Sequence, residues 1–586
     1  MYEVVVGIDF GSSGSGFAYS FFDKHKIIHG QIYGASVDYK VPTEIILDDD
    51  NYTIQFGADC IKFLKEKGLE VGNYFKGIKM HLYENKSTII AQNSGKELPL
   101  QLVIQKVLEK IKELAIKEIS KNRPYLEKET EKIKWVVTVP AIWNEHQKSI
   151  MMKSCIEAGL INKNTDKSLF FALEPEAASL YCSINKEIDR NHFKTGEYYI
   201  VCDLGGGTGD IVAHLVGSNN YLNEISPSCG GNFGSNEIDK SIFKDIILKL
   251  FGCHDFNTFY RKYKKNNNGD DDENDKGELY NDWSEMEREI KDFKEGATIE
   301  KIEKNEKYSV NFSLFQDIFE DDVDINDLVK EYNDNIYDDN LLLSAKKNKK
   351  KWILELPYKI IYNYMKTQSN SICQIINDIT SKEEIKTLIF VGGYCSNEIL
   401  LKLIKDGLNK IITYLQPSNP SLAIMEGAVL FGMEPSKINI RKSKYTIGKA
   451  ISNVWNDKIH SGKGEKYYNQ EKKKWFCKHC FDKFIEINQS IKYEEEISHT
   501  SEIPCISKNK KVLTMLFYKT KKLNPIFIFE EGMFKIGECR IDIGKEYESY
   551  KDRKIKTIMK FGGTFIDVTA IHLKTGITVK TTLAFD

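Results

Sequence analysis

The chain has 586 residues, which at about 100–200 residues per domain makes roughly three to five structural units. Its 41% hydrophobic content is enough for real cores and excludes wholesale disorder. Lys and Arg number 83 against 85 Asp and Glu, a formal charge of -2, so nothing in the balance points to nucleic acid or an anionic membrane as the main partner.

The first nine residues carry no basic run and no small-residue cleavage site, so they read as a strand and not as a secretory signal. Residues 4–8 are apolar, 11–16 make a turn, and 17–22 are apolar again, which is a hairpin pattern. Residues 101–120 place Leu102, Val103, Val107, Ile111, Leu114 and Ala115 at helical spacing. A strand is expected at 135–139, ending at Pro140, then a helix at 145–158 closed by Gly159. Residues 198–202 read as a strand, 203–209 as a glycine-rich turn and 210–216 as a second strand. A further strand is expected at 385–391, ending at Gly392-Gly393, and a helix at 421–431. Two polar segments, 262–277 and 335–351, read as solvated loops or insertions; the second holds the basic run 346–351. Past residue 440 the pattern changes: residues 557–585 alternate with period two around a turn at Lys574-Thr575-Gly576. A separate β-rich domain is therefore expected, its boundary within 435–445. No apolar run approaches the about eighteen residues of a membrane span. The twelve cysteines sit mostly in apolar runs, as Cys202 and Cys373 do, which suits buried thiols and a cytoplasmic setting.

A weak repeat carries the chemistry. Asp9-Phe10-Gly11 and Asp203-Leu204-Gly205 each end an apolar strand and open a turn of small residues, 194 residues apart. Turns of Gly and Ser or Thr let backbone N–H groups reach phosphate oxygens with no Cβ in the way. Hydroxyls at Ser12, Ser13 and Thr208 add hydrogen bonds. An Asp on each strand offers carboxylates to Mg²⁺, which keeps much of its water shell. One such turn alone is ordinary; two with the same grammar, and Val391-Gly392-Gly393-Tyr394 after a third strand, read as a clamp on one nucleotide. The chain has neither G-x-x-x-x-G-K-[ST] nor G-x-G-x-x-G, so P-loop and dinucleotide-fold readings lack their main support.

These motifs resemble the actin/sugar-kinase/heat-shock ATPase superfamily, and within it the seventy-kilodalton heat-shock proteins. Gly7 to Ser13 is similar to their first phosphate loop, Asp203 to Asp210 to the second, Val136 to Glu145 to a strand-to-helix segment, Leu173-Glu174-Pro175-Glu176-Ala177-Ala178 to the motif between halves, and Val391 to Ser396 to the adenosine loop. Residues 475–484, 441–448, 426–432 and 559–564 resemble the divergent twelfth subfamily. The resemblance implies an α/β fold: a two-lobed actin-like ATPase of duplicated ribonuclease H-like cores, then a C-terminal β-rich domain. The lobes would be 1–190 and 191–435, and the β-rich domain, without a helical lid, 440–586.

It also implies ATP or ADP with Mg²⁺. Asp9 and Asp203 would face the hydrated ion. Lys79 and Glu174 would position the attacking water, and Thr208 and Asp210 would complete the second loop as catalytic groups. Nucleotide contacts would come from Gly11, Ser12 and Ser13, from Gly205, Gly206, Gly207 and Thr208, from Gly234, Ser235 and Lys291, and from Gly392, Gly393 and Tyr394. The segment 287–294 matches the family's adenosine contact poorly. Gly14 and Gly209 stand where the common chaperones carry aromatics. The acidic-leucine linker is absent, the chain reading Glu434-Pro435-Ser436-Lys437-Ile438-Asn439-Ile440, and the sequence stops at Asp586 with no lid. An ATP-hydrolysing, chaperone-type protein is expected, with client or partner proteins on the C-terminal β region and no ATP-gated peptide clamp of the usual kind. Two other readings use the same features: a non-hydrolysing nucleotide-binding scaffold or exchange-factor-like module, and a metabolite kinase. Cys477-x-x-Cys480 reads as packed thiols or a redox-labile pair. As zinc ligands the two would need two more donors, for which His479, Cys505 and Cys539 are the candidates.

Overall fold

The computed structural model describes residues 2–24, 26–30, 39–68, 71–161, 168–250, 252–253, 258, 273–311, 325–348, 351–410, 412–470, 472–502, 512–542 and 553–583. Its first sheet is built on the strand Val4–Asp9, every residue of which is buried. A strand covered on both faces must be apolar throughout, and Val4, Val5, Val6 and Ile8 meet that demand. It pairs antiparallel with Gly14–Phe21 on one side and parallel with Ile133–Val139 on the other. The strand Leu169–Leu173 continues the sheet in parallel. The second sheet repeats the plan: Tyr198–Leu204 pairs antiparallel with Gly209–Val216 and parallel with Thr387–Val391, and Thr413–Leu415 follows in parallel. Asp203 thus lies within its strand and not in the turn, because the ladder runs on to Leu204 opposite Gly209.

Between the two sheets lies one apolar core. Val5, Val136 and Ala172 of the first sheet and Tyr199, Val201 and Ile389 of the second pack there with Ala177, Ala178, Met425 and Ala428. The last four come from the helices Glu174–Ile184 and Ala423–Met433. Those helices pack closely enough that a Cβ on Gly427 would lie 1.8 Å from the Ala177 carbonyl oxygen. The expected long helix is present as Leu100–Ser120 and the next as Glu145–Glu157, the latter opened by a reciprocal Asn144–Gln147 cap.

Past residue 440 the strands form two sheets. The first runs in the order Lys466–Asn469, Lys474–Ile485, Thr446–Val454, Val512–Thr520, Phe534–Asp542. The second runs Glu496–Glu502, Lys554–Lys560, Ile566–His572, Thr578–Leu583. Their shared core includes Phe517, Ile536, Met559 and Val568. The period-two expectation for 557–585 corresponds to the last three of these strands. The division near 440 is bridged by hydrogen bonding: Ile438–Lys442 pairs parallel with Leu222–Glu224, and Ser490–Lys492 pairs antiparallel with Ile438–Lys442, so both extend the sheet built on Tyr198–Leu204 and Gly209–Val216. Across from them, Phe565 stacks edge-on against Phe171 at 5.2 Å, and Thr564 donates to the Phe171 carbonyl.

One expected loop is a hairpin. Within 335–351, Ser344–Asn348 pairs antiparallel with Lys351–Pro357. Leu354 and Leu356 are buried, while Lys346 reaches Glu355 at 2.5 Å on one face of the hairpin and Lys347 lies over the Trp352 ring on the other, both lysines exposed. Of the other insertion, residues 262–272 lie outside the described residues, and 273–277 open the helix Glu273–Glu295. No helix among the described residues is long and apolar enough to cross a membrane.

The helix contact at Gly427 yields a stability test. Gly427→Ala overpacks it and is expected to cost about 1–3 kcal/mol, read as a lower denaturant midpoint. An unchanged midpoint would show that the two helices do not meet so closely.

Candidate phosphate and cation site

The two glycine turns face each other. A Cβ on Gly206 would lie 1.8 Å from Ser13 Oγ, and one on Gly207 would lie 2.3 Å from Met80 Sδ and 2.7 Å from Ser12 Oγ. Gly205 N–H donates to the Thr208 carbonyl at 3.0 Å, closing the second turn. Thr43 Oγ1 donates to the Gly11 carbonyl at 2.7 Å, bracing the first. The helix Ser235–Ile242 abuts the second turn: Ser235 N–H reaches the Gly205 carbonyl at 3.2 Å, and Asn236 N–H the Gly206 carbonyl at 2.8 Å. Asn236 Nδ2 then bridges to Ser13 Oγ at 3.0 Å. Gly234 lies flat on this turn, since a Cβ there would be 2.3 Å from the Gly206 oxygen.

Carboxylates gather behind the turns. Glu174 is the first residue of its helix, where the N-terminal dipole favours an anion. Its Oε1 lies 2.5 Å from Lys79 Nζ, both side chains 5% exposed. Burial works against the lysine's charge, but Glu174, Asp9 and Asp210 together hold its pKa above the ordinary value. Burial, with repulsion from Asp9, pushes Glu174 up while Lys79 pulls it down. Asp9 is paired with Lys40. Asp203 and Asp210 face each other across the second hairpin, and the Oδ1 atom of each is buried with no hydrogen-bond partner among the described residues. Burial, then repulsion from Glu174 and Asp210, raises Asp203 well above the carboxylate range. Burial and Glu174 likewise bring Asp210 to about 7.

Unpartnered buried oxygens of this kind are costly unless a cation or its water meets them. The donor set is all oxygen, which suits a hard ion such as Mg²⁺. Asp9, Asp203 and Asp210 therefore fit the ion implied by the sequence. Gly392, at φ 88°, lets its backbone pass Asp203, where a Cβ would lie 2.5 Å from Oδ1.

The remaining expected residues divide. Thr208 is buried in its turn. Gly393 faces open space, with nothing within 4 Å of where a Cβ would stand. Tyr394 is buried, its hydroxyl donating to Gln368 Oε1 at 3.0 Å. Lys291 is exposed, 3.7 Å from Glu295, within electrostatic reach of both Glu44 and Asp239. Its neighbour Lys294 is the buried one, 2.6 Å from Asp239 and 3.1 Å from the Ser235 carbonyl. The space beside Gly209 is taken by Phe233, whose Cβ would lie 3.0 Å from a Cβ there.

Sequence reasoning missed Lys40, Thr43, Asn236 and the Lys76–Glu287 pair, which no motif marks. It also missed Arg441, whose guanidinium meets both Glu176 oxygens at 2.6 Å, two residues from Glu174. For the cysteine pair the donor differs from those expected. His479 is exposed and 3.5 Å from Glu465, Cys539 belongs to another core, and Cys505 lies outside the described residues. The imidazole beside Cys477 and Cys480 is His460.

Two hairpin-based sheets, their glycine turns opposed over buried carboxylates, make a mixed α/β architecture consistent with an actin-like ATPase fold. No family profile matches the chain. Human heat shock 70 kDa protein 12A is 27% identical over 99% of this chain and 91% of its own length. Human heat shock 70 kDa protein 12B is 26% identical over 100% of this chain and 91% of its own length. A chaperone protein HscA homolog from Rickettsia bellii is 30% identical over 43% of this chain and 39% of its own length. The chain is thus similar along its length to the heat-shock-70 proteins 12A and 12B.

The raised Asp210 pKa sets a pH test. Its carboxyl is 3.8 ordinarily and about 7 in the fold, so its protonated form contributes stability below 3.8 that is lost as pH rises to about 7. Without divalent cations, Asp210→Asn is expected to gain stability relative to wild type between pH 4 and 7. Parallel pH profiles in urea unfolding would overturn the assignment.

Proposed function

We propose that this heat-shock-70-like nucleotide-binding protein is a Mg²⁺-dependent ATPase of chaperone type. The observation that carries the reading is the convergence of two glycine turns on a buried Lys79–Glu174 pair flanked by unpartnered Asp203 and Asp210 oxygens. The bound ion would neutralise phosphate charge, held through water by Asp9 and Asp203. Backbone N–H groups of Gly11 to Ser13 and Gly205 to Thr208 would bind the phosphate oxygens. Lys79, kept cationic by its carboxylate neighbours, offers a fixed positive charge to the transferred phosphoryl group. Glu174, anchored by that lysine, orients a water by accepting its proton in a hydrogen bond. Positioning and charge are most of what phosphoryl transfer needs. Lys291, Gly392 and Gly393 would contact the adenosine. Partner proteins would use the β sheets beyond residue 440, and the cytoplasm is the compartment this reading assumes.

Two variants test it. Gly206→Val drives a branched side chain into Ser13 and is expected to abolish Mg-ATP binding by calorimetry; unchanged affinity in a folded variant would sink the clamp. Lys79→Ala is expected to slow single-turnover hydrolysis by a factor of about 10²–10⁴ with binding largely kept. Wild-type turnover no faster than background would instead favour a non-hydrolysing nucleotide-binding module.

A further inference from the structure

Cys477 and Cys480 lie in the strand Lys474–Ile485. Residues three apart in a regular strand point to opposite faces. Here Ile451 opposes Cys480 while Asn453 opposes Cys477, so the longer step is absorbed by a bulge in which His479 takes φ 60°. Both sulfurs thereby reach one small core with Phe527, Ile451 and Trp455. The donor atoms of Cys477, Cys480 and His460 lie within 4.8 Å of one another, all three residues buried.

The hydrogen bonding of His460 decides which chemistry this cluster suits. His460 ends the short helix Asp457–His460, and its Nδ1 accepts the backbone N–H of Asn456 at 2.9 Å. The proton of the neutral ring therefore sits on Nε2, 3.9 Å from Cys480 Sγ. A metal-bound imidazole uses one nitrogen for the ion and donates from the other. Here the other nitrogen faces a donor, so the ring is set to donate towards sulfur and not to ligate. Burial pushes the Cys477 thiol up to about 12, whereas the imidazole N–H points at the Cys480 sulfur, where it would steady negative charge as that sulfur attacks. Gly464 packs directly on the cluster, since a Cβ there would lie 2.4 Å from Cys477 Sγ, and the residues before it, Ser461, Gly462 and Lys463, are exposed.

We propose that Cys477 and Cys480 are a modification site, a dithiol that a hydroperoxide converts to a disulfide with Cys480 reacting first. The Cys480 sulfur attacks one peroxide oxygen: the S–O bond forms, the O–O bond breaks, and the thiol proton leaves with the other oxygen, as water when the oxidant is hydrogen peroxide. The Cys477 sulfur then attacks the sulfenic sulfur: the S–S bond forms, the S–O bond breaks, and the hydroxyl leaves with the second thiol proton as water. Two thiols give two electrons and two protons to one peroxide, and a dithiol reductant reverses the change.

The sequence supplies its own readout. Trypsin cuts after Lys474, Lys478 and Lys483, so the two cysteines fall in separate peptides, 475–478 and 479–483. The full chain is treated with hydrogen peroxide, alkylated without reductant, digested and weighed. The expected result is the two peptides joined by a disulfide, separating after dithiothreitol. Cys477→Ala is expected to leave a dimedone-trapped sulfenic acid on Cys480, Cys480→Ala none on Cys477, and His460→Gln is expected to slow oxidation several-fold. Both peptides recovered alkylated and unlinked from the oxidised wild-type chain would overturn the proposal whether or not the variants fold. So would one equivalent of zinc in the purified chain, released only when both cysteines are blocked. Oxidation of His460→Gln at the wild-type rate would overturn the order of attack.

Discussion

The site depends on two turns approaching within a distance that no side chain survives. Gly206 meets Ser13, Gly207 meets Ser12 and Met80, and the gap is set by sheets whose common core lies elsewhere. Each turn is the end of an antiparallel hairpin buried on both faces, so neither can shift without disturbing a ladder. The helices Glu174–Ile184 and Ala423–Met433 fill the space between the sheets and fix the spacing of the turns. Packing at Gly427, far along the chain from either turn, is thus part of what aligns them.

That alignment concentrates negative charge. Asp9, Glu174, Asp203 and Asp210 converge where Lys40 and Lys79 are already paired and Lys444, the other cation acting on Asp210, donates to the Ala141 carbonyl. The polypeptide alone does not satisfy the arrangement, as the unpartnered oxygens of Asp203 and Asp210 show. A protein selected for stability alone would protonate or replace such groups. A cation bound there would balance the charge that the polypeptide leaves unpaired.

Much of this was legible locally. Asp9 to Ser13 and Asp203 to Thr208 announce themselves because strand, carboxylate and turn are contiguous, and the buried alternation of 557–583 follows from period two. Contacts made across the fold were not. Lys40, Asn236 and Arg441 carry no local pattern, and their partners Asp9, Ser13 and Glu176 become neighbours only when sheets and helices assemble. His460 was hidden for the same reason: it comes from a short helix ahead of the cysteine strand, whereas the adjacent His479 is turned outwards by the bulge. The basic run at 346–351 misled because composition speaks for solvation, while the apolar residues following it determine the strand. Lys79 drew attention through resemblance; what isolates it physically is complete burial beside an acid.

The strands at the far edge of the second sheet bear on how this chain can be handled. Ile438–Lys442 and Ser490–Lys492 are borrowed from the region beyond the sheet's own sequence. A fragment ending near residue 440 would lose the outer strand and leave a row of unsatisfied backbone N–H and C=O groups, the template on which sheets polymerise. Cleaving the chain at that point therefore does not release two finished bodies. It opens an adhesive border, and a truncated nucleotide-binding fragment would owe poor solubility to that border and not to any fault in its core.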